Sequence, residues 1–150
     1  MQLGKNPMAN LSCLEVIYAE ANMLRKICIL FGIIFVAVGV LGFVPGITQD
    51  GHLLGIFHVN AAHNAVHILS GVAALICGSI STHAARMYFR LFGLIYGLVA
   101  VLGFMNGDRP IFGIISNNMA DTWLHVGIAA VSLLLGFAVR EAPERAAASA

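Results

Sequence analysis

The sequence predicts an all-α membrane protein: a bundle of four transmembrane helices built from two tandem two-helix repeats, with a short amphipathic helix at the N-terminus. Three observations carry this. Of 150 residues, 59% are hydrophobic and only 10% charged, against roughly 25% charged in a soluble domain. The charges, apart from Arg90 and Asp121 near the starts of the third and fourth, fall between four apolar runs, each close to the ~20 residues a helix needs to cross a bilayer. The runs also resemble one another in pairs.

The elements follow in order. Residues 1–26 carry Lys5, Glu15, Glu20, Arg25 and Lys26 ahead of the first apolar run, and no A-x-A-like site follows. That is a poor secretory signal. Residues 10–26 are expected to form an amphipathic helix on the membrane surface that leads into the first span. The four spans are expected at 27–44, 60–80, 87–105 and 119–139, so that the membrane domain is 27–139 and 140–150 is a tail.

Lys5, Arg25, Lys26, Arg86, Arg90, Arg140 and Arg145 fall on one side of such a bundle, and only Arg109 on the other. The positive-inside rule then puts both termini in the cytoplasm and the connections at 45–52 and 106–118 outside. A net charge of +1 offers nothing to a nucleic acid; the lipid bilayer is the expected partner. Cys13, Cys28 and Cys77 make no CxxC or CxxCH pattern, which removes covalent haem attachment and a zinc ribbon.

The repeat is read from two comparisons. Residues 30–43, LFGIIFVAVGVLGF, and 91–104, LFGLIYGLVAVLGF, are identical at nine of fourteen positions at an offset of 61. Residues 54–67, LGIFHVNAAHNAVH, align with 112–125, FGIISNNMADTWLH, at an offset of 58. There Gly55 meets Gly113, Asn60 meets Asn118, His63 meets Asp121 and His67 meets His125. Polar residues are rare in membrane helices, so their coincidence says more than matching leucines. Gly32, Gly39 and Gly42 in span one, and Gly93, Gly97 and Gly103 in span three, allow close helix approach. Gly93 and Gly97 make a GxxxG pair, which suits packing within the chain or a homo-oligomer.

The candidate site follows from helical spacing. Asn60, His63, Asn64 and His67 fall at i, i+3, i+4 and i+7, on one face of span two. Asn118, Asp121, Thr122 and His125 do the same in span four. Both groups open their spans at the outer end. An ionisable group at the centre of a membrane helix costs roughly 2.5–3.5 kcal/mol, less near the interface, so these side chains must pair, face water or bind something. Three readings stand. The cluster is a structural clasp, with Asn60 and Asn118 as N-caps. Or His63, His67, Asp121 and His125 hold a transition metal, as two histidines one turn apart do in zinc helices, with a haem on His67 and His125 as a variant. Or the cluster is a proton or ion relay, against which Ser70, Ser79 and Ser132 are the only polar residues deeper in those spans. There is no phosphate-binding glycine loop, no GxSxG elbow and no hydrolytic carboxylate pair. A non-enzymatic metal- or ligand-binding membrane component is therefore the leading function. A redox or haem- or metal-dependent enzyme subunit and a small transporter are the alternatives.

Leu-Gly-Phe-Val-Pro-Gly at 41–46, the LLGIFHVNAAHNAVHILSG stretch at 53–71 and DTWLH at 121–125 resemble the family catalogued as domain of unknown function 4383, over most of the membrane part. The resemblance implies a small bacterial four-span protein, hence an inner-membrane location. It implies no activity, substrate or cofactor.

Overall fold

The computed structural model describes residues 7–138. The expected tail at 140–150, Val139 and residues 1–6 lie outside the described residues. The element order is α1 (Pro7–Leu41), β1 (Thr48–Gln49), β2 (His52–Leu53), β3 (Phe57–His58), α2 (Ala61–Ile80), α3 (Thr82–Asn106) and α4 (Met119–Ala138).

All four helices are long and apolar enough to cross a membrane, the stretch in α1 being Asn22–Leu41. At 1.5 Å per residue, the 20 residues of α2 reach about 30 Å, the thickness of a bilayer's hydrocarbon core. The distribution of side chains agrees. The buried face of α2 is His63, Asn64, His67, Gly71, Ala74 and Gly78, while Leu69, Val72, Ile76 and Ile80 are exposed, Leu69 by 69%. A water-soluble helix has the opposite arrangement. This is a multi-pass membrane protein. The segment expected to form a surface helix is continuous with the first span: α1 runs unbroken from Pro7 to Leu41.

The helices pack as two antiparallel pairs. Along α1 and α2, Arg25 meets Gly78, Gly32 meets Gly71 and Leu75, and Gly42 meets Asn64. Along α3 and α4, Arg90 meets Gly136, Gly93 meets Leu133, Gly97 meets Ala129 and Gly103 meets Thr122. The glycine faces are thus covered by helices of the same chain. Small residues bring the backbones together, and dispersion contacts follow where lipid tails offer no hydrophobic drive between helices.

The two ends of the bundle differ. At one, α2 passes into α3 through a single residue: Ser81 accepts from Ala84 N–H at 3.0 Å and caps both helices. Arg25 donates to the carbonyls of Gly78 (3.0 Å) and Ser79 (2.8 Å), and Arg90 Nε to Gly136 (2.7 Å). The carbonyls of Gly78 and Ser79 are orphans at the end of α2, and a cation there also meets the negative end of the dipole. The middle holds Phe35, Phe89, Phe92 and Ala74, with Tyr88 and Tyr96 buried among them rather than at an interface.

At the opposite end, α1–α2 and α3–α4 are joined by ordered connections. The first is a small antiparallel meander, β1-β2-β3, with Thr48 opposite Leu53 and Leu53 opposite Phe57. It was not legible from hydropathy. Leu54 and Gly55 both take positive φ (54° and 71°) in a turn closed by Ile56 N–H to Leu53 C=O at 3.1 Å. Phe112 and Gly113 (54° and 72°) repeat it, with Ile114 N–H to Ile111 C=O at 3.1 Å. Each turn buries one apolar residue, Leu53 or Ile111, and leaves the next, Leu54 or Phe112, exposed.

Candidate functional site

Below these two connections lies a buried polar cluster built from the first two turns of α2 and α4. Asn60 caps α2, its Oδ1 accepting from His63 N–H at 2.9 Å. Asn118 does the same for α4, accepting from Asp121 N–H at 2.9 Å. The amide nitrogens then cross over: Asn60 donates to Ile114 C=O and Asn118 to Ile56 C=O, both at 2.7 Å. Each helix start is thereby tied to the other helix's connection. We expect Asn60→Ala to destabilise the protein by about 2 kcal/mol, one cap plus one hydrogen bond. Asn60→Asp, which keeps the cap acceptor and loses the crossing donor, should cost about half that. Unfolding in mixed micelles checks the order.

The residues at the third helical position diverge. Asp121 Oδ2 accepts from its own cap's N–H (Asn118, 3.1 Å) and from His58 N–H (3.1 Å), so that Asn118 and Asp121 form a capping box. His63 instead lies 2.8 Å by Nδ1 from Ser116 C=O. A carbonyl only accepts, so His63 carries its proton on Nδ1 and presents a lone pair at Nε2. That lone pair faces His67 Nε2 at 3.0 Å, and the two rings stack at 4.8 Å.

His125 completes the group. The ligand atoms of His63, His67 and His125 all lie within 4.8 Å of one another, and the three residues are 5%, 6% and 6% exposed. Asp121, the fourth residue of the candidate metal set, is buried but is not in this group; its Oδ2 is taken by the two backbone N–H donors. Asn64 packs on Gly42. Thr122 donates to Asn118 C=O at 3.0 Å and meets Asn117, whose amide reaches Gly107 C=O at 2.8 Å. These two support helix packing and stand aside from the imidazoles.

Aromatic rings hold the histidines from beneath. Phe35 stacks on His67 at 5.0 Å, and Tyr96 meets His125 edge-on at 5.3 Å. The Nδ1 atoms of His67 and His125 are buried with no hydrogen-bond partner among the described residues, and the Tyr96 hydroxyl has no close one, only the nearby Ser70 side chain. A buried polar atom left so costs about 1–3 kcal/mol. Sequence spacing missed Tyr96, Asn117 and the carbonyl of Ser116: Tyr96 lies on a third helix, and backbone atoms leave no signature in a sequence.

Two cavities flank the imidazoles, of about 160 and 120 Å³. Both are smaller than the roughly 300–1,000 Å³ of sites that enclose drug-sized ligands.

Residues 25–138 match the family described as a domain of unknown function (DUF4383). Comparison with curated proteins and with solved structures gives no match.

Proposed function

The chain belongs to the DUF4383 family, whose description carries no activity, and from that premise we propose that this membrane protein binds one transition-metal ion through His63, His67 and His125. The observation that carries the reading is the convergence of three buried imidazoles within 4.8 Å. The hydrogen bond from His63 Nδ1 to Ser116 supports it: metal-bound histidines commonly donate their other nitrogen to a carbonyl, which fixes the tautomer. Zinc–nitrogen bonds of about 2.1 Å put ligand atoms about 3.4 Å apart, so His125 would move inward by up to about 1.4 Å. Three nitrogens suit zinc, copper or iron. The cavities are too small for the haem variant to be favoured.

A metal-dependent membrane enzyme is the second reading. A three-histidine set leaves a fourth position open, as in catalytic rather than closed structural zinc sites, and the adjoining cavities would give that position access. The core below is aromatic and apolar, which gives a transport path no support.

The same reading includes an internal twofold. Each of the six buried residues of α2 has its counterpart 58 positions later among those of α4, His63 with Asp121 through Gly78 with Gly136. The crossing bonds of Asn60 and Asn118 also exchange under that offset. His63 and Asp121 then occupy one position with opposite chemistry, a donor to the Ser116 carbonyl and an acceptor from the His58 amide. The axis lies along the membrane normal, as in parallel repeats.

On the same reading the termini are cytoplasmic and the histidines lie at the outer end, which the arginine bias supports; a bacterial inner membrane is the location that goes with it. Two of those arginines also bind backbone carbonyls of a neighbouring helix, so orientation needs its own test. A cysteine at Asp50 should react with a membrane-impermeant maleimide in intact cells, and one at Thr82 only after lysis; the reverse would invert the topology.

The metal is tested by elemental analysis of protein purified in detergent without chelator or histidine tag. Near-stoichiometric metal is expected. Metal-free protein that also fails to take up Co²⁺ with a d–d absorption band would leave only the clasp.

A further inference from the structure

The two cavities are not alike in chemistry, although they occupy corresponding places. Val66, Val99 and Ile111 line the larger one; Leu124, Val38 and Leu53 line the smaller. These are the same positions under the offsets of 58 and 61. His63, His67 and His125 wall both.

The larger cavity lies between α2 and α3, beneath the connection at 111–117. Val66, Ile95 and Phe112 on its walls are exposed on the apolar outer surface of the helices. That surface faces lipid in a bilayer, so the cavity is reached sideways, from the hydrocarbon. Its inner wall carries Tyr96, only 4% exposed, whose hydroxyl lies beside the Ser70 side chain on the same wall but makes no close hydrogen bond among the described residues. The unpartnered Nδ1 atoms of His67 and His125 belong to the same walls. No Lys, Arg, Asp or Glu lines it.

We propose that this cavity takes the ring of a membrane-dissolved quinone, which enters between α2 and α3 and accepts a hydrogen bond from Tyr96 on a carbonyl oxygen. Size fits: about 160 Å³ is close to the roughly 150 Å³ apolar cavity that holds benzene. Polarity fits: the Tyr96 and Ser70 hydroxyls on the wall can donate to a neutral acceptor, and a quinone brings carbonyl oxygens with no donor to bury. A carboxylate would bring a charge with no cation in the lining to meet it. The hydrocarbon tail of the quinone stays in the lipid beside Val66 and Ile95. The inference deepens the reading of the imidazoles as a ligand site, since they wall the cavity, but it does not require the metal.

The test uses the full chain in phosphatidylcholine nanodiscs, photolabelled with an azido-benzoquinone carrying a decyl tail. Saturable labelling is expected in the lining segments of α2 and α3, competed by decyl-benzoquinone and not by oleate. Val99→Trp, which fills the cavity, should abolish it. Val38→Trp, the matched change in the smaller cavity, should leave it unchanged. Tyr96→Phe should weaken binding about fivefold, the worth of one neutral hydrogen bond. Unsaturable labelling, labelling indifferent to both Val99→Trp and Tyr96→Phe, or equal competition by oleate would overturn the proposal, the last pointing to an acyl chain. Metal content measured on the same samples separates the two readings: saturable quinone binding by metal-free protein removes the metal and keeps the quinone, and metal without quinone binding does the reverse.

Discussion

Alanine at both His67 and His125 is expected to reduce bound metal from near one ion per chain to background, while the variant still folds. On the proposed reading three nitrogens are all the ligands the chain supplies, and removing two leaves one imidazole, too few to hold a transition metal in competition with water. The single variants should separate by outer support. His63 is the one ligand with a hydrogen bond behind it, to Ser116, and such partners are typically worth 10–100-fold in metal affinity. His63→Ala should therefore cost the most affinity. His125→Ala also removes a buried Nδ1 without a partner, so its loss of metal should come with less loss of metal-free stability than His67→Ala, which also breaks the contact of His67 Nε2 with His63. A purely structural cluster behaves differently: no variant changes metal content, and His63→Ala destabilises by leaving the Ser116 carbonyl unpaired. Elemental analysis together with unfolding in micelles reads both quantities on the same preparations.

How far the sequence reached is clearest residue by residue. The four spans were legible because long runs without charge have few readings. The shared face of Asn60, His63, Asn64 and His67 was legible because helical geometry fixes which residues align. What periodicity does not contain is the backbone of another element. Asp121 stands at the position expected for a ligand, yet two amide hydrogens from Asn118 and His58 take up its Oδ2. A carboxylate at the third position of a helix reaches its own cap easily, whereas the imidazole at the same position of α2 donates from Nδ1 to the Ser116 carbonyl. The group within 4.8 Å is accordingly the three imidazoles, with Asp121 beside it. The meander at 48–58 was illegible for a related reason. Its turn rests on Leu54 at positive φ, a conformation that costs a non-glycine residue about 1–2 kcal/mol and that no propensity scale would assign.

Gly71→Ala is expected to be the most damaging single methyl addition on the α1–α2 seam. A Cβ at Gly71 would lie 2.7 Å from the carbonyl oxygen of Gly32 and 2.7 Å from the amide nitrogen of Val36. Both are backbone atoms of a helix and cannot step aside, so α1 and α2 must separate along their length. Overpacking of this kind costs about 1–3 kcal/mol, and here it also loosens the crossing that sets Phe35 against His67. The counterpart seam should tolerate more. Fifty-eight positions after Gly71 stands Ala129, so α3 and α4 already accommodate a methyl at that contact. A Cβ at Gly97 meets only the Ala129 Cβ, at 3.9 Å, an ordinary contact. Gly97→Ala should be near neutral, since the gain in helix propensity of about 1 kcal/mol offsets what little packing it disturbs. Gly127→Ala, with nothing within 4 Å, serves as the control for propensity alone. Unfolding midpoints in mixed micelles should rank the three as Gly71→Ala far below wild type, and Gly97→Ala and Gly127→Ala at or above it. If Gly71→Ala also weakens metal binding while Gly97→Ala does not, the site takes its geometry from the α1–α2 crossing through Phe35; equal metal binding in both would mean that the imidazoles are held by their caps and connections alone.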